Sequence, residues 1–169
     1  MSKAPEKTIG MRTLDREGIP YTPYYYPESI HDALGVAEHC GLPPEQVFKT
    51  LVVEVPDPGG RQRPRHVLVL VPGGFSLDLK QAAAGLGAKR VTMARQETAE
   101  HVTGLKVGGI SALGLLGKGF GVYLDERAQE FEEIVVSAGR RGINLRMRRE
   151  DFIRLTGARW IRASVSSAT

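Results

Sequence analysis

The stretch VFKTLVVEV, residues 47–55, is the clearest strand pattern in the sequence. A loop rich in Pro, Gly and Arg follows over residues 56–64, and RHVLVLV, residues 65–71, predicts a returning strand. Two apolar runs joined by turn residues are typical of a β-hairpin, here with a long tip. We therefore expect an antiparallel strand pair over residues 47–71.

The segments on both sides of this hairpin carry helical and strand patterns in mixed order. Apolar spacing, glycine stops and Asp78 predict helices, whereas aromatic or apolar runs predict strands. The predicted helices cover 7–16, 32–40, 76–86, 94–102 and 149–155, and the further strands cover 21–26, 89–92, 121–124, 133–136 and 143–147. Because the two types do not alternate strictly, we predict a mixed-sheet α/β fold.

The length of 169 residues fits one domain spanning residues 1–169. We expect an ordered core over about 7–157 and a frayed, Ser-rich tail over 163–169. The composition, 41% hydrophobic and 25% charged, is that of a soluble globular protein. No apolar run approaches the ~20 residues of a membrane span, and MSKAPEKTIG lacks a signal-peptide core. We expect a cytoplasmic protein without a membrane partner.

The cysteine and histidine content argues against a metal or disulfide protein. Cys40 is the single cysteine, and the four histidines are widely scattered, so there is no metal-ligand spacing. No nucleotide-binding motif is present either. We therefore expect no metal and no cofactor.

Positive charge is concentrated at the C-terminal end. From Ser137 onward there are eight arginines and two acidic residues, whereas the first 136 residues carry 15 basic and 17 acidic residues. Such a basic quarter on a near-neutral body is typical of a surface for a polyanion. The alternative is a solvated face on which arginine serves solubility.

Lys49 stands in an unusual place in the first strand. Because side chains alternate along a strand, Lys49 shares a face with Val47, Leu51, Val53 and Val55. Lysine is almost never fully buried without a partner. Either its stem packs while its ammonium reaches water, or the side chain enters a pocket and holds an anion or a polar substrate group.

A second unusual segment is KVGGISALG, residues 106–114. Paired glycines let a backbone approach a ligand closely, and free N–H groups in such a loop can bind a carbonyl oxygen or an oxyanion. The alternative is a flexible connection between strands. The loop lacks the ending of a Walker phosphate loop and the strand–turn–helix context of a dinucleotide fingerprint.

Other candidate nucleophiles and bases have simpler explanations. Cys40 ends an amphipathic helix and is expected to be a small packed thiol. Ser111 and Ser137 do not stand in a Gly-x-Ser-x-Gly elbow. Of the histidines only His31, in a loop before a helix, is kept as a weaker site candidate.

Three segments taken together resemble the YbaK/EbsC family, which includes the editing domain inserted in many bacterial prolyl-tRNA synthetases. They are VFKTL (47–51), VGGIS (107–111) and VSAGRRG (136–142). Shorter matches keep the same order: GLPPEQ (41–46), LDLK (77–80), LGAK (86–89) and AQEF (128–131). The likeness runs from about residue 14 to residue 155.

The resemblance implies a compact mixed α/β (α+β) domain with a mostly antiparallel, barrel-like sheet, surrounding helices and a pocket. It implies removal of a mischarged small amino acid from tRNA, most notably cysteine from tRNA(Pro), with tRNA and prolyl-tRNA synthetase as partners. The enzyme is a hydrolase if a bound water attacks the ester, or of lyase type if the thiol of the substrate attacks. Removal of alanine from tRNA(Pro), and a non-catalytic module that binds tRNA or a synthetase, are the alternatives.

The resemblance also assigns residues. The pocket lysine of the family corresponds to Lys49, its serine to Ser137, and two pocket-lining positions approximately to Tyr26 and Leu34. The expected catalytic residues are Lys49, Gly108, Gly109, Ile110 and Ser111. The expected substrate-binding residues are Tyr26, Leu34, Thr50, Ser137, Gly139 and Asn144. The expected tRNA contacts, Arg140, Arg141, Arg148 and Arg149, follow from the basic C-terminal quarter rather than from the resemblance.

The sequence departs from the family pattern at two positions. The family loop usually reads Gly-Gly-Ile-Ser-Pro, whereas Ala112 stands here in place of proline. Asn144 stands where an acidic residue is expected. Both departures bear on which amino acid is removed rather than on the fold.

Overall fold

The computed structural model describes residues 6–167. The helices of this part are α1 (Ile9–Arg16), α2 (Ala33–Cys40), α3 (Leu79–Leu86), α4 (Gln96–Thr103) and α5 (Arg149–Thr156). The strands are β1 (Thr22–Tyr25), β2 (Phe48–Val55), β3 (Arg65–Pro72), β4 (Phe75–Leu77), β5 (Thr92–Met93), β6 (Gly121–Asp125), β7 (Glu133–Ser137), β8 (Ile143–Arg148), β9 (Arg159–Ile161) and β10 (Ser164–Ser166). None of these helices is long and apolar enough to cross a bilayer.

The predicted hairpin lies at the centre of a five-stranded sheet of order β5-β2-β3-β6-β9. β2 and β3 pair antiparallel along their whole length, from Phe48 opposite Pro72 to Val55 opposite Arg65. β6 and β9 join the sheet in parallel. The central sheet is therefore mixed as predicted, and with the two smaller sheets five of the seven strand pairs in residues 6–167 are antiparallel.

The other strands form two smaller antiparallel sheets, β1-β8-β7 and β10-β4. The first sheet is linked to the central one by a backbone bridge between Val47 and Val135 and by apolar packing of Phe48 with Ile134 and Val136 in one buried cluster. The central sheet ends on β5 and β9, strands of two and three residues. The barrel-like expectation is thus wrong, because these short edge strands do not pair with each other and the sheet stays open.

Both faces of the central sheet are covered by apolar side chains. Phe48 and Val52 face one cluster of buried residues, whereas Val53 and Val55 face another. This alternation is the one that the sequence of β2 predicts. Lys49 belongs by phase to the second face.

The ends of the helices follow local capping chemistry. The Asp32 carboxylate accepts a hydrogen bond from the N–H of Gly35 at the start of α2, and Gly41 ends that helix with φ of 69°. The Asp78 carboxylate accepts one from the N–H of Gln81 at the start of α3. The helix predicted over 76–86 therefore begins later, because its first two residues belong to β4.

The C-terminal tail is more ordered than the sequence predicts. Ser164–Ser166 forms β10 and pairs with Phe75–Leu77, and Ala163 is fully buried. The expectation of a frayed tail is wrong for residues 163–167, and regular structure continues beyond residue 157. Residues 168–169 of that predicted tail, and residues 1–5 of the N-terminal segment, lie outside the described part of the chain.

Candidate active site

One edge of β2 is open where the strand begins. β5 pairs with β2 only at Val53 and Glu54, so no strand of residues 6–167 lies beside residues 49–51 on that edge. A pocket of about 190 Å³ occupies this place. Its lining residues are Tyr26, His31, Asp32, Ala33, Val36, Phe48, Lys49, Thr50, Leu51, Val107, Gly108, Ile110, Ser137 and Asn144.

The pocket joins all three segments that the sequence singles out: the lysine strand, the glycine loop and the Ser137 region. Three larger clefts on the described surface contain neither Lys49 nor the glycine loop. Size alone would favour those clefts. We select the smaller pocket because it gathers polar groups that have unused hydrogen-bonding capacity.

Lys49 reaches this pocket half-buried. Its Nζ donates a hydrogen bond to the main-chain carbonyl oxygen of Phe75 at 2.7 Å. Burial lowers the pKa of Lys49 below its ordinary value, and the nearby Asp32 carboxylate opposes that shift. Since an ammonium has three donors, two remain for a substrate.

Thr50 supplies a second polar group. Thr50 lines the pocket, and its Oγ1 is buried without a hydrogen-bond partner among the described residues. Buried hydroxyls are nearly always paired in proteins. A polar group of a ligand would satisfy this one.

The glycine loop provides main-chain donors. Gly108, with φ of 93°, and Ile110 line the pocket, and within residues 6–167 their N–H groups make no hydrogen bond. The N–H of Gly109 is instead committed to the Lys106 carbonyl oxygen at 2.8 Å. A side chain at Gly109 would place its Cβ 2.8 Å from the main-chain nitrogen of Arg141. Gly109 therefore permits close packing and supplies no free donor.

Tyr26, Asn144 and Ser137 form the wall opposite. The Tyr26 hydroxyl donates to Oδ1 of Asn144 at 3.0 Å, and Ser137 lies opposite Asn144 in the β7–β8 pair. Burial raises the pKa of Tyr26 to about 12, so this hydroxyl stays a neutral donor at physiological pH. Ser137 Oγ accepts a hydrogen bond from the N–H of Gly139 at 3.2 Å, which leaves its own proton for a ligand.

Besides Gly109, three predicted catalytic or substrate-binding residues do not line the pocket. Leu34 is 43% exposed and does not line the pocket, because the helical turn places Ala33 and Val36 there instead. Ser111 is fully buried and its Oγ accepts a hydrogen bond from the N–H of Gly114. Gly139 lies outside the pocket, and a Cβ on it would meet Ile9 at 2.5 Å.

The four predicted tRNA contacts divide into two kinds. Arg140 and Arg148 are exposed. Arg141 donates through Nε to the Val107 carbonyl oxygen at 2.8 Å and so braces the glycine loop. Arg149 donates through one nitrogen to the carbonyl oxygens of Ala128, Gln129 and Phe131. These contacts give Arg149 a structural task, and we do not retain it as an RNA contact.

Sequence reasoning placed α2 at the pocket through Leu34 but missed which residues at the start of this helix line it. Asp32, Ala33 and Val36 line the pocket with the weaker candidate His31. The available signal was the Asp32 cap, which fixes where the helix begins next to β2. In the described part of the chain, no three His, Cys, Asp or Glu side chains form a group that could hold a metal ion.

Comparisons with known proteins identify the family of this chain. Residues 27–155 match the family model described as "Aminoacyl-tRNA editing domain". The chain is 36% identical over 160 residues to the Enterococcus faecalis protein named "Putative Cys-tRNA(Pro)/Cys-tRNA(Cys) deacylase EbsC", with 94% of this chain and 93% of the relative covered.

Solved structures share the fold. One is described as "a putative trans-editing enzyme for prolyl tRNA synthetase"; it has a TM-score of 0.76 at 24% identity, covering 98% of this chain and all of the other. Another, of a hypothetical protein, has a TM-score of 0.77 at 19% identity, covering 91% of this chain and 97% of the other. The family match spans Lys49, the glycine loop and Ser137 together, and the chain belongs to the aminoacyl-tRNA editing domain family.

Proposed function

We propose that this protein is a trans-editing deacylase that removes a mischarged small amino acid, foremost cysteine, from tRNA(Pro). The observation that carries the proposal is one pocket that combines the Lys49 ammonium, the unpaired Thr50 hydroxyl and two unbonded N–H groups. The name of the Enterococcus faecalis relative supports cysteine as the amino acid. The reaction belongs to the cytoplasm, where tRNA is charged.

The size of the pocket suits a small amino acid. Its volume of about 190 Å³ is below the ~300–1,000 Å³ of pockets for drug-sized ligands. A synthetase discriminates against a slightly smaller apolar side chain by only ~10–200-fold. A second site that admits the smaller amino acid corrects this error.

The chemistry needs positioning more than a strong protein nucleophile. An aminoacyl ester is already activated, and negative charge develops on its carbonyl oxygen when a nucleophile attacks. In our proposal the N–H groups of Gly108 and Ile110 stabilise that charge. Lys49 holds the terminal adenosine through its sugar or phosphate, and Thr50 and Ser137 order the polar groups of the amino acid. Either a bound water or the cysteine thiol of the substrate attacks the carbonyl carbon.

The rest of the tRNA binds outside the pocket. Arg140 and Arg141 follow Ser137 closely, so they stand where a phosphate near the acceptor end would pass. Arg148, exposed at the end of β8, extends this basic surface. Contacts of this kind supply affinity rather than sequence specificity. Prolyl-tRNA synthetase is the partner that would deliver tRNA(Pro).

The test is deacylation of a panel of tRNAs charged with cysteine, alanine or proline. We expect rapid release of cysteine from tRNA(Pro) and slow release of proline. Preferred release of alanine would make the protein an Ala-tRNA(Pro) deacylase. Binding of every charged tRNA without release of any amino acid would refute an enzymatic role and leave a binding module.

A further inference from the structure

A basic cleft lies at the far end of the central hairpin from Lys49. It forms where the loop between β2 and β3 meets the connection between α3 and β5, and its volume is about 660 Å³. Four cationic side chains line it: Arg63, Arg65, Lys89 and Arg90. All four are exposed.

These cations are not neutralised by the described part of the protein. Within residues 6–167 the side chains of Arg63, Arg65, Lys89 and Arg90 make no ion pair and no hydrogen bond. The one acidic side chain in the cleft, Asp57, accepts hydrogen bonds from the main-chain N–H groups of Arg61 and Gln62. Its charge is thus committed to shaping the loop. Four like charges share a cleft with a single acid.

The central sheet holds two segments of the cleft in place. Arg65 is held opposite Val55 by the β2–β3 register, and Val55 is buried. β5, which follows Arg90 after one residue, pairs with β2 at Val53 and Glu54. Arg65 therefore stands on the sheet and Arg90 close to it, whereas Arg63 lies in the loop between β2 and β3.

The distance between the cleft and the pocket is one that a single RNA can span. Val55 is six residues beyond Lys49 on one strand, which corresponds to ~20 Å at ~3.3 Å per residue. A nucleic-acid strand in a duplex carries one phosphate per ~3.4 Å. An RNA that reaches from the Lys49 pocket to the cleft therefore has several phosphates between these two sites.

We propose that this cleft binds the phosphate backbone of the tRNA whose aminoacyl end occupies the Lys49 pocket. The proposal rests on the proposed function. Binding of phosphates neutralises the four cations and releases counterions, which makes affinity depend on salt. The cleft lies outside the arginine-rich C-terminal quarter, within a part of the chain that is slightly acidic in total. Two separate basic surfaces then hold the RNA and fix its approach to the pocket.

The test combines the four substitutions Arg63→Gln, Arg65→Gln, Lys89→Gln and Arg90→Gln. We expect the KM for full-length Cys-tRNA(Pro) to rise about tenfold or more. The slope of log affinity against log salt should fall by roughly 0.7–0.9 for each phosphate that the variant no longer neutralises. The cysteinyl ester of adenosine is too short to reach the cleft, so the loss should be confined to full-length tRNA. The pair Lys89→Gln and Arg90→Gln serves as a milder variant if the fourfold one is unstable.

Two exposed arginines of α1, changed by Arg12→Gln and Arg16→Gln, give a charge-matched control for that pair. An unchanged KM and salt slope in folded cleft variants would overturn the proposal, as would an equal loss in the α1 control. An equal loss on tRNA and on the adenosine ester would also overturn it. If the wild-type protein releases no amino acid, the proposed function fails, and binding of uncharged tRNA across a salt series still tests the cleft.

Discussion

The Lys49 ammonium is held by the main-chain carbonyl oxygen of Phe75 at 2.7 Å. Phe75 begins β4, which is paired with the C-terminal strand β10. The Arg127 guanidinium lies 4.1 Å from the centre of the Phe75 ring. Its Nε donates to Ser164 Oγ, and that hydroxyl donates to the buried Asp125 carboxylate. The position of the pocket lysine thus depends on a C-terminal segment beyond the residues matched by the family model.

This relationship predicts that Arg127 positions Lys49. Arg127→Met removes the contact with the Phe75 ring, worth ~0.5–2 kcal/mol, so β4 loosens and Lys49 loses a fixed acceptor. We expect kcat to fall by about two- to thirtyfold, since ~1.4 kcal/mol corresponds to tenfold in rate. The alkaline limb of the pH–rate profile should move to lower pH, because the absence of a fixed acceptor destabilises the ammonium.

Arg162→Met is the matched control for Arg127→Met. Arg127 and Arg162 line one surface cleft. Arg162, however, forms its ion pair with the exposed Glu126 at 3.6 Å. If both variants behave alike, or if Arg127→Met leaves the pH profile in place, Arg127 has no positioning role.

Lys49 itself should be required for deacylation. Lys49→Ala removes a charge-assisted contact worth ~1.5–3 kcal/mol, which lowers the rate by roughly one to two decades. Lys49→Arg should also be impaired, since a planar fork does not replace a compact ammonium. The measurement is release of cysteine from tRNA(Pro), with circular dichroism as the folding control. A folded Lys49→Ala protein with wild-type rates would remove Lys49 from the mechanism.

Replacing Lys49 should stabilise the folded protein, although the same replacement lowers activity. Burial lowers the pKa of this lysine in the folded protein, so between that value and the unfolded value of ~10.4 the unfolded chain binds more protons. The stability of the wild-type protein therefore rises with pH through this window. Below the window Lys49 is charged in both states, and burial of the charged ammonium lowers stability by its full amount. We expect Lys49→Met to be more stable than wild type at pH 7, with the gain shrinking at alkaline pH. Urea unfolding at several pH values measures this, and a constant difference would contradict it.

Tyr26 and Asn144 should be energetically coupled. Tyr26→Phe leaves the Asn144 amide oxygen unpaired, and Asn144→Leu leaves the buried hydroxyl unpaired. Each change should cost ~1–3 kcal/mol of unfolding free energy. Since both variants lose the same hydrogen bond, the double variant should lose less than the sum, by ~0.5–3 kcal/mol. Strictly additive losses in urea unfolding would show that this bond contributes nothing to stability.

Arg148 and Arg149 should behave differently despite being neighbours. Arg149→Ala removes one donor from the carbonyl oxygens of Ala128, Gln129 and Phe131. Of these oxygens only that of Ala128 keeps a described partner, the N–H of Phe131, so the melting temperature should fall. Arg148→Ala should leave the melting temperature unchanged and weaken tRNA binding, with a salt slope lower by about one. Thermal unfolding and tRNA titrations of the two variants separate these outcomes. A stable Arg149→Ala protein would contradict the structural role.

The departure at Ala112 has a structural explanation. Ala112 has φ of −62°, which is the angle that proline imposes. The loop thus keeps the backbone that the family pattern implies, although the residue differs. This departure leaves the donors of Gly108 and Ile110 where the pocket needs them.

Much of the fold and part of the site follow from local patterns. Alternation along residues 47–55 places Lys49 on an apolar face, and Asp32 and Gly41 set the ends of α2. These features are local because strand alternation and helix capping depend on residues within a few positions.

Tertiary structure alone decided what surrounds Lys49. β4 and β10 have three residues each, and the paired residues Phe75 and Ser166 are far apart in the chain. No local pattern therefore predicts these strands. The choice of Ala33 over Leu34 as a pocket residue depends on how α2 packs against β2. The sequence by itself determined that Lys49 carries the positive charge of the pocket. Packing between distant segments determined which carbonyl holds it, because short strands gain their stability from their partners rather than from their own residues.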